Sequence, residues 1–191
     1  MASTSSSASA AARPTMYSTD DVSADPWQAM INEAVQVTTD IPQTNTFYGD
    51  AVFVRRCYPF YYDKVNEVLQ TNRMVSLTGT PGIGKSIFYL YYFDRYRKEN
   101  PERRVLTASF SINQELEQCV LYPSLNEESK GAQHVKYDKI PEDACDLYLY
   151  DGPPNHKPPG KSKMVAFTSP HPGWLDRIAS KYSDHFTLFM P

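Results

Sequence analysis

The feature that most constrains the fold of this chain is the glycine-rich run from residue 79 to residue 86. It reads Gly-Thr-Pro-Gly-Ile-Gly-Lys-Ser and matches the phosphate-binding P-loop pattern G-x-x-x-x-G-K-[ST] without a gap. An apolar, β-prone segment (74–78) precedes the run, and a long apolar and aromatic segment (87–96) follows it. A strand, a glycine loop and a helix in this order are the elements on which such a loop is built. The sequence therefore predicts an anion site at the start of a helix.

Each part of this loop has a predicted role. The glycines permit backbone angles that turn successive N–H groups towards phosphate oxygens, and the helix adds its positive dipole end. We expect Lys85 to reach the β and γ phosphates and the Ser86 hydroxyl to bind Mg²⁺. The predicted nucleotide-binding residues are Gly79, Thr80, Pro81, Gly82, Ile83, Gly84, Lys85 and Ser86.

A second motif supplies the expected carboxylate. Residues 146–151 read Asp-Leu-Tyr-Leu-Tyr-Asp, an apolar strand that ends in Asp151. A buried parallel strand delivers such a carboxylate to its C-terminal tip, where it holds Mg²⁺ directly or through water. An aspartate that merely closes a strand before a Gly-Pro-Pro turn is the alternative. Taken with the loop, the pattern favours Ser86 and Asp151 as the metal ligands.

A third strand is predicted at 164–168, followed by Ser169 and Pro170. Its tip would place Thr168 or Ser169 near the γ-phosphate, where a polar sensor side chain belongs. A Ser/Thr turn before the proline is an equally weighted interpretation. The catalytic residues predicted from these patterns are Lys85, Asp151 and Ser169.

These motifs predict an α/β fold of three layers with a mainly parallel sheet. The order 5-1-4-3-2 is expected for the five core strands, which are 74–78, 104–110, 147–150, 164–168 and 185–190. A helix that starts near Pro59 should lead into the first of them, and another is expected at 174–182. The secondary structure of the middle of the chain is less clearly indicated. Short extra strands that form a hairpin are predicted there, at 119–122 and 134–137.

The chain divides into a tail and one domain. Residues 1–46 begin with a low-complexity Ser/Ala-rich stretch and are expected to be mostly disordered. Within this tail, apolar residues at 27–37 recur at helical spacing. They predict an amphipathic helix that either docks on the domain or binds a partner. Residues 47–191 form the predicted nucleotide-binding domain.

Composition limits the partners. The net charge of −3 does not predict a broad nucleic-acid surface. The three cysteines form no C-x-x-C and imply neither a zinc site nor a disulfide framework. The sequence shows no recognisable secretory signal and no apolar run of membrane-spanning length, so a membrane partner is not expected.

The motifs together resemble the NTPase domain of Crinkler effectors, which are proteins of oomycetes and some fungi related to the retrotransposon hot spot proteins of trypanosomes. The resemblance covers about residues 47–191 and is carried by the runs 52–58, 78–88, 150–153 and 166–170. It implies a module that binds ATP with Mg²⁺, and a role as an effector secreted into host cells, often reaching nuclei. Many family members continue past the fifth strand, so a domain shortened at its C-terminus is expected here.

Two functions of different classes follow. The leading one is an ATPase, a hydrolase of the phosphoanhydride bond. The alternative is a nucleotide-gated protein-interaction module with little or no turnover, because Gly152 stands where many ATPases carry a glutamate directly after the Mg²⁺ aspartate. A small-molecule kinase is disfavoured because no Arg-rich lid is visible. A GTPase is disfavoured because no Asn-Lys-x-Asp motif occurs, and adenine is assigned by the resemblance.

Three arginines are candidate helpers of this site. Arg55 and Arg56 would line a nucleotide pocket if the segment before the first helix packs on the base, although ordinary surface charges are the favoured interpretation. Arg177 would offer a transition-state cation, but a solvated helix face is favoured for it.

Overall fold

The computed structural model describes residues 34–36, 51–127, 131–155, 157–170, 173–174 and 183–191 of the chain. None of the helices in these ranges is long and apolar enough to cross a membrane. The elements are β1 (Ala34–Gln36), β2 (Ala51–Phe53), α1 (Cys57–Thr71), β3 (Met74–Gly79), α2 (Lys85–Glu99), β4 (Val105–Phe110), β5 (Leu116–Tyr122), β6 (Gln133–His134), a 3₁₀ turn (Tyr137–Lys139), β7 (Leu147–Asp151), β8 (Lys163–Phe167) and β9 (His185–Met190).

A mixed sheet of seven strands forms the centre of the domain, in the order β6-β5-β4-β7-β8-β3-β9. The five strands from β4 to β9 in this order run parallel to one another, whereas β5 and β6 are antiparallel. The α/β class predicted from the sequence is confirmed. The sheet has seven strands, since β5 and β6 add an antiparallel pair to the β4 edge. This pair lies in the middle of the chain, where short extra strands in a hairpin are predicted.

Both described helices pack on one face of this sheet. The periodic aromatic residues of α1 and α2 meet the inward side chains of the strands, and Phe88 lies at the centre of that layer. Its ring centroid is 5.2 Å from that of Tyr58 and 5.8 Å from that of Phe167. Aromatic pairs at such distances bury a large apolar area. This packing fixes the start of α2 relative to the ends of β3, β7 and β8.

The other face of the sheet carries a second apolar cluster that includes Tyr148, Tyr150, Met164 and Trp174. The partly buried side chains of Tyr137 and Ile140 pack against this cluster. Except for Trp174, the helix predicted at 174–182 lies outside the described residues, and so does the candidate Arg177.

The predicted helix at 27–37 is wrong where the structure describes it. Ala34–Gln36 is a strand, β1, which pairs antiparallel with β2 in the register Ala34↔Phe53 and Gln36↔Ala51. The three residues Ala-Val-Gln are too few to distinguish a strand from a helix, and a partner strand distant in sequence decides between them. The remaining predictions for residues 1–46 lie outside the described residues.

Candidate functional site

The glycine-rich run connects the end of β3 to the start of α2. Gly79 is the last residue of β3, and α2 begins at Lys85. Gly84 precedes the helix in a left-handed conformation, with φ of 93°, and no side chain caps the helix start. Thr80, Pro81 and Gly82 are exposed. The first backbone N–H groups of α2 therefore adjoin an accessible loop, an arrangement suited to an anion.

Gly79 is required by a close approach of two strands. A Cβ at this position would lie 2.1 Å from the carbonyl oxygen of Met190 in β9. Real side chains do not tolerate such a contact with backbone. The loop thus starts at a position where the neighbouring strand excludes any residue but glycine.

Lys85 is folded into the loop. Its side chain is buried, with only 7% of the residue exposed, and the Nζ donates to the carbonyl oxygens of Gly79 at 2.8 Å and Thr80 at 2.9 Å. The pKa of its ammonium is lowered, because the effect of burial exceeds the opposing effect of the negative charge of Asp151. The loop thereby holds a cation on its inner side, next to the carboxylate of the second motif.

Ser86 and Asp151 meet beside this lysine. The Ser86 hydroxyl lies close enough to the Asp151 carboxylate to lower the pKa of that carboxyl. Burial, which is the largest effect, together with the charge of Glu117, outweighs the influence of Ser86 and Lys85 and raises the pKa to about 6. The positive charge near the carboxylate is therefore insufficient to offset the cost of its burial.

This donor set fits Mg²⁺. A hydroxyl and a carboxylate are the hard oxygen ligands that Mg²⁺ prefers, and the ion is usually held by one or two carboxylates together with substrate phosphates. No group of three or more His, Cys, Asp or Glu in the described ranges would hold a metal ion. Ser86 and Asp151 would therefore hold the cation jointly with a ligand that brings its own oxygens.

The tip of β8 lies between the two motifs. The Thr168 N–H donates to the carbonyl oxygen of Leu77 in β3 at 3.0 Å, and its hydroxyl donates to the Ser169 carbonyl oxygen at 3.1 Å. On the other side, the Gly152 N–H donates to Phe167 at 2.9 Å. Thr168 is buried and Ser169 is exposed. Of the two, Ser169 is therefore the residue with a side chain accessible at this edge.

Arg55, before α1, and Tyr58, in the first turn of α1, both contact the loop. The favoured interpretation of Arg55 as a surface charge did not anticipate its contact. The Arg55 guanidinium donates to the Ile83 carbonyl oxygen at 2.6 Å, and the Tyr58 hydroxyl donates to the Gly84 carbonyl oxygen at 3.2 Å. Arg56 is exposed. The sequence contained one clue to these contacts. A helix that leads directly into a strand runs antiparallel to it, so the start of α1 lies near the end of β3, where the loop begins.

Sequence reasoning also missed Glu117, an exposed residue of β5 whose charge acts on Asp151. The predicted strand began only at Cys119, and no local pattern indicated that β5 would pair beside β4. Its position depends on strand pairing that the sequence does not reveal.

Comparison with known proteins adds no relative to this picture. No protein-family model matches the chain, and neither a curated protein nor a solved structure matches it.

Proposed function

We propose that this chain is a P-loop NTPase module of a Crinkler-like effector that binds ATP with Mg²⁺ and hydrolyses its terminal phosphoanhydride bond. The observation that carries the proposal is the meeting of Ser86, Asp151 and Lys85 at the start of α2. A hydroxyl, a carboxylate and a lysine ammonium beside a glycine loop are the groups that hold a metal-bound triphosphate.

The strand order supports the same class. β3, which leads into the loop, and β7, which ends in Asp151, are separated by β8. An additional strand between the two motif strands is typical of one branch of P-loop NTPases, and the three strands run parallel. The loop and the carboxylate therefore lie at the same edge, the carboxyl ends of the strands, where ligands of such sheets bind.

The roles of the residues follow from their positions. Backbone N–H groups of the loop and of the first turn of α2 bind the phosphates, and Lys85 neutralises their charge. Ser86 and Asp151 hold the cation, which draws charge from the phosphate oxygens when bound. Ser169 lies at the exposed tip of β8 as the residue that would contact the terminal phosphate.

The biological context of the proposal comes from the resemblance of the motifs. By that resemblance the base is adenine, and the module acts in an effector delivered into host cells and reaching nuclei. The geometry of the phosphate-binding residues does not distinguish one purine from another, so ATP and GTP are compared in the experiment below.

A second function, a nucleotide-gated interaction module, is favoured by one observation. The Lys85 ammonium already donates to two carbonyl oxygens of its own loop, those of Gly79 and Thr80. A phosphate that recruits this ammonium would change these contacts and the shape of the loop. Binding alone would then alter the surface around the exposed residues Thr80 and Pro81.

The test is equilibrium binding of ATP and GTP, with and without Mg²⁺, followed by measurement of phosphate release. Lys85→Ala should abolish nucleotide binding, and Asp151→Ala should abolish its dependence on Mg²⁺. The matched control is Lys161→Ala, since Gly160, Lys161 and Ser162 repeat the end of the motif on a loop before β8. Equal affinity of the wild type and Lys85→Ala would refute the proposal. Binding without phosphate release would favour the gated module.

A further inference from the structure

Hydrolysis needs a group that orients the attacking water, and the position after Asp151 does not supply it. Gly152 adopts φ of 95°, a left-handed conformation that disfavours a side chain. A Cβ there would lie 2.4 Å from the Phe110 carbonyl oxygen in β4. The backbone of β4 thus excludes a glutamate at this position, and a water-orienting carboxylate has to come from another element.

The pairing of β4 with β5 contains an irregularity at the level of Asp151. Ser109 pairs with Gln118, but the next residue, Phe110, pairs with Leu116, so Glu117 is an extra residue in β5. On its other side, Ser109 pairs with Asp151 of β7. Such β-bulges re-aim a side chain and are over-represented next to active sites. Glu117 therefore lies level with Asp151, with only β4 between their strands.

The bulge also determines the face on which Glu117 lies. Leu116 and Cys119 both pack in the apolar cluster on the face away from the helices. In a regular strand, residues three apart lie on opposite faces, yet Leu116 and Cys119 lie on the same face. The extra residue of the bulge accounts for this, and it places Glu117 and Gln118 next to each other on the face that carries the helices. Leu149 packs in the core on the helix face, and alternation along β7 places Asp151 on that face too.

Charge and exposure agree with this placement. The negative charge of Glu117 is among the causes that raise the pKa of Asp151, so the charge of one carboxyl group acts on the other, as the strand pairings place them. The Glu117 side chain is exposed and takes no part in either apolar core. A carboxylate with no packing role, directed to the side of the sheet that carries the loop, is suited to contact water and ligand.

We propose that Glu117 is the water-orienting carboxylate of this site. In the reaction, a bond forms between the water oxygen and the γ-phosphorus, and the bond from that phosphorus to the β–γ bridging oxygen breaks. The bridging oxygen keeps the electron pair and leaves on ADP. Glu117 accepts a proton from the attacking water and returns it to the released phosphate or to solvent. The inference rests on the proposed ATPase function and names the group that the second motif lacks.

The test compares Glu117→Gln with Glu115→Gln, a control in the β4–β5 turn whose side chain is also exposed. Glu117→Gln should lower phosphate release by about 100-fold or more, as expected for a lost general base. Its affinity for Mg²⁺-ATP should stay within about threefold of wild type, since the phosphate and metal ligands are intact. After one turnover time of the wild type, the nucleotide bound to Glu117→Gln should still be ATP. Glu115→Gln should match the wild type in all three measurements.

Each other outcome identifies what has failed. If Glu117→Gln releases phosphate at the wild-type rate, Glu117 has no such role, and the nucleotide site stands. If the wild type binds Mg²⁺-ATP but releases no phosphate, the hydrolysis and the role of Glu117 both fail, and only the nucleotide site stands. Loss of Mg²⁺-dependent affinity in Glu117→Gln would also overturn the inference, because Glu117 would then belong to the metal site. Absence of any nucleotide binding by the wild type would overturn the proposed function itself.

Discussion

The Ser86 hydroxyl, in the first turn of α2, lies close to the Asp151 carboxylate at the tip of β7 and lowers the pKa of that carboxyl. The two residues belong to elements separated in the sheet by β8. Their meeting depends on the packing of α2 over that strand, where the Tyr89 and Phe167 ring centroids are 5.3 Å apart. The polar site is therefore positioned by the aromatic core beneath it.

The half-buried charge of Asp151 should cost the ligand-free protein stability. Its folded pKa of about 6 lies above the ordinary value of 3.8, so the folded state binds the proton more tightly than the unfolded chain. A difference of about two pH units corresponds to at most about 3 kcal/mol. Asp151→Asn should therefore raise the free energy of unfolding by up to about 3 kcal/mol above pH 6. The gain should shrink as the pH falls towards 4.

Urea unfolding at several pH values measures this effect without nucleotide or metal. The same variant should lose Mg²⁺-dependent nucleotide binding, so that stability and function move in opposite directions. Asp143→Asn is the control, since this aspartate is exposed and lies outside the site. A variant Asp151→Asn that is less stable than wild type at pH 7 would contradict the argument.

His185 should oppose Asp151 in the pH dependence of stability. Its Nε2 is 2.7 Å from the Ser76 hydroxyl oxygen, and burial lowers its pKa from 6.5 to about 4. The unfolded chain takes up a proton below pH 6.5 that the folded state resists. Stability should therefore fall between pH 6.5 and 4, by at most about 3 kcal/mol.

This pH dependence is best measured in the Asp151→Asn background, where the opposing carboxyl is absent. The free energy of unfolding should decline on acidification from pH 6.5 to 4, and His185→Gln should flatten the decline. His134→Gln, at an exposed position of β6, should leave the slope unchanged. An equal slope in all three proteins would rule out His185 as the cause.

Local patterns were sufficient for the elements that carry the motifs. The strand before Gly79, the helix from Lys85 and the apolar strand ending in Asp151 are each specified by contiguous residues. Gly82 and Gly84 needed no tertiary information, because their backbone angles are permitted chiefly to glycine. The α/β class follows from the alternation of such strands and helices.

What the sequence did not reveal depends on pairing between distant segments. Ala34–Gln36 becomes a strand because Ala51–Phe53 lies beside it. Arg55 reaches the loop because α1 returns along β3. Glu117 is displaced by a bulge that exists only where β5 meets β4. In each case the deciding interaction lies outside any window of neighbouring residues.

Arg55 should contribute to nucleotide affinity through the loop that it contacts. Its guanidinium donates to the Ile83 carbonyl oxygen and lies 3.3 Å from the place of a Cβ on Gly84. An exposed charged hydrogen bond contributes on the order of 1 kcal/mol. Arg55→Ala should therefore weaken ATP binding by roughly fivefold, measured by titration with a fluorescent nucleotide. Arg56→Ala is the control, and equal losses in both variants would indicate a general charge effect.

Gly152→Ala should destabilise the fold more than Gly82→Ala, although both glycines have positive φ, 95° and 82°. A Cβ at position 82 meets nothing within 4 Å, whereas one at 152 lies 2.4 Å from the Phe110 carbonyl oxygen. The open site bears only the conformational cost of about 1–2 kcal/mol. At the crowded site, displacement of β4 adds a further 1–3 kcal/mol. Urea unfolding should order the midpoints as wild type, Gly82→Ala and Gly152→Ala. Equal midpoints for the two variants would mean that β4 yields easily, and a side chain could then follow Asp151.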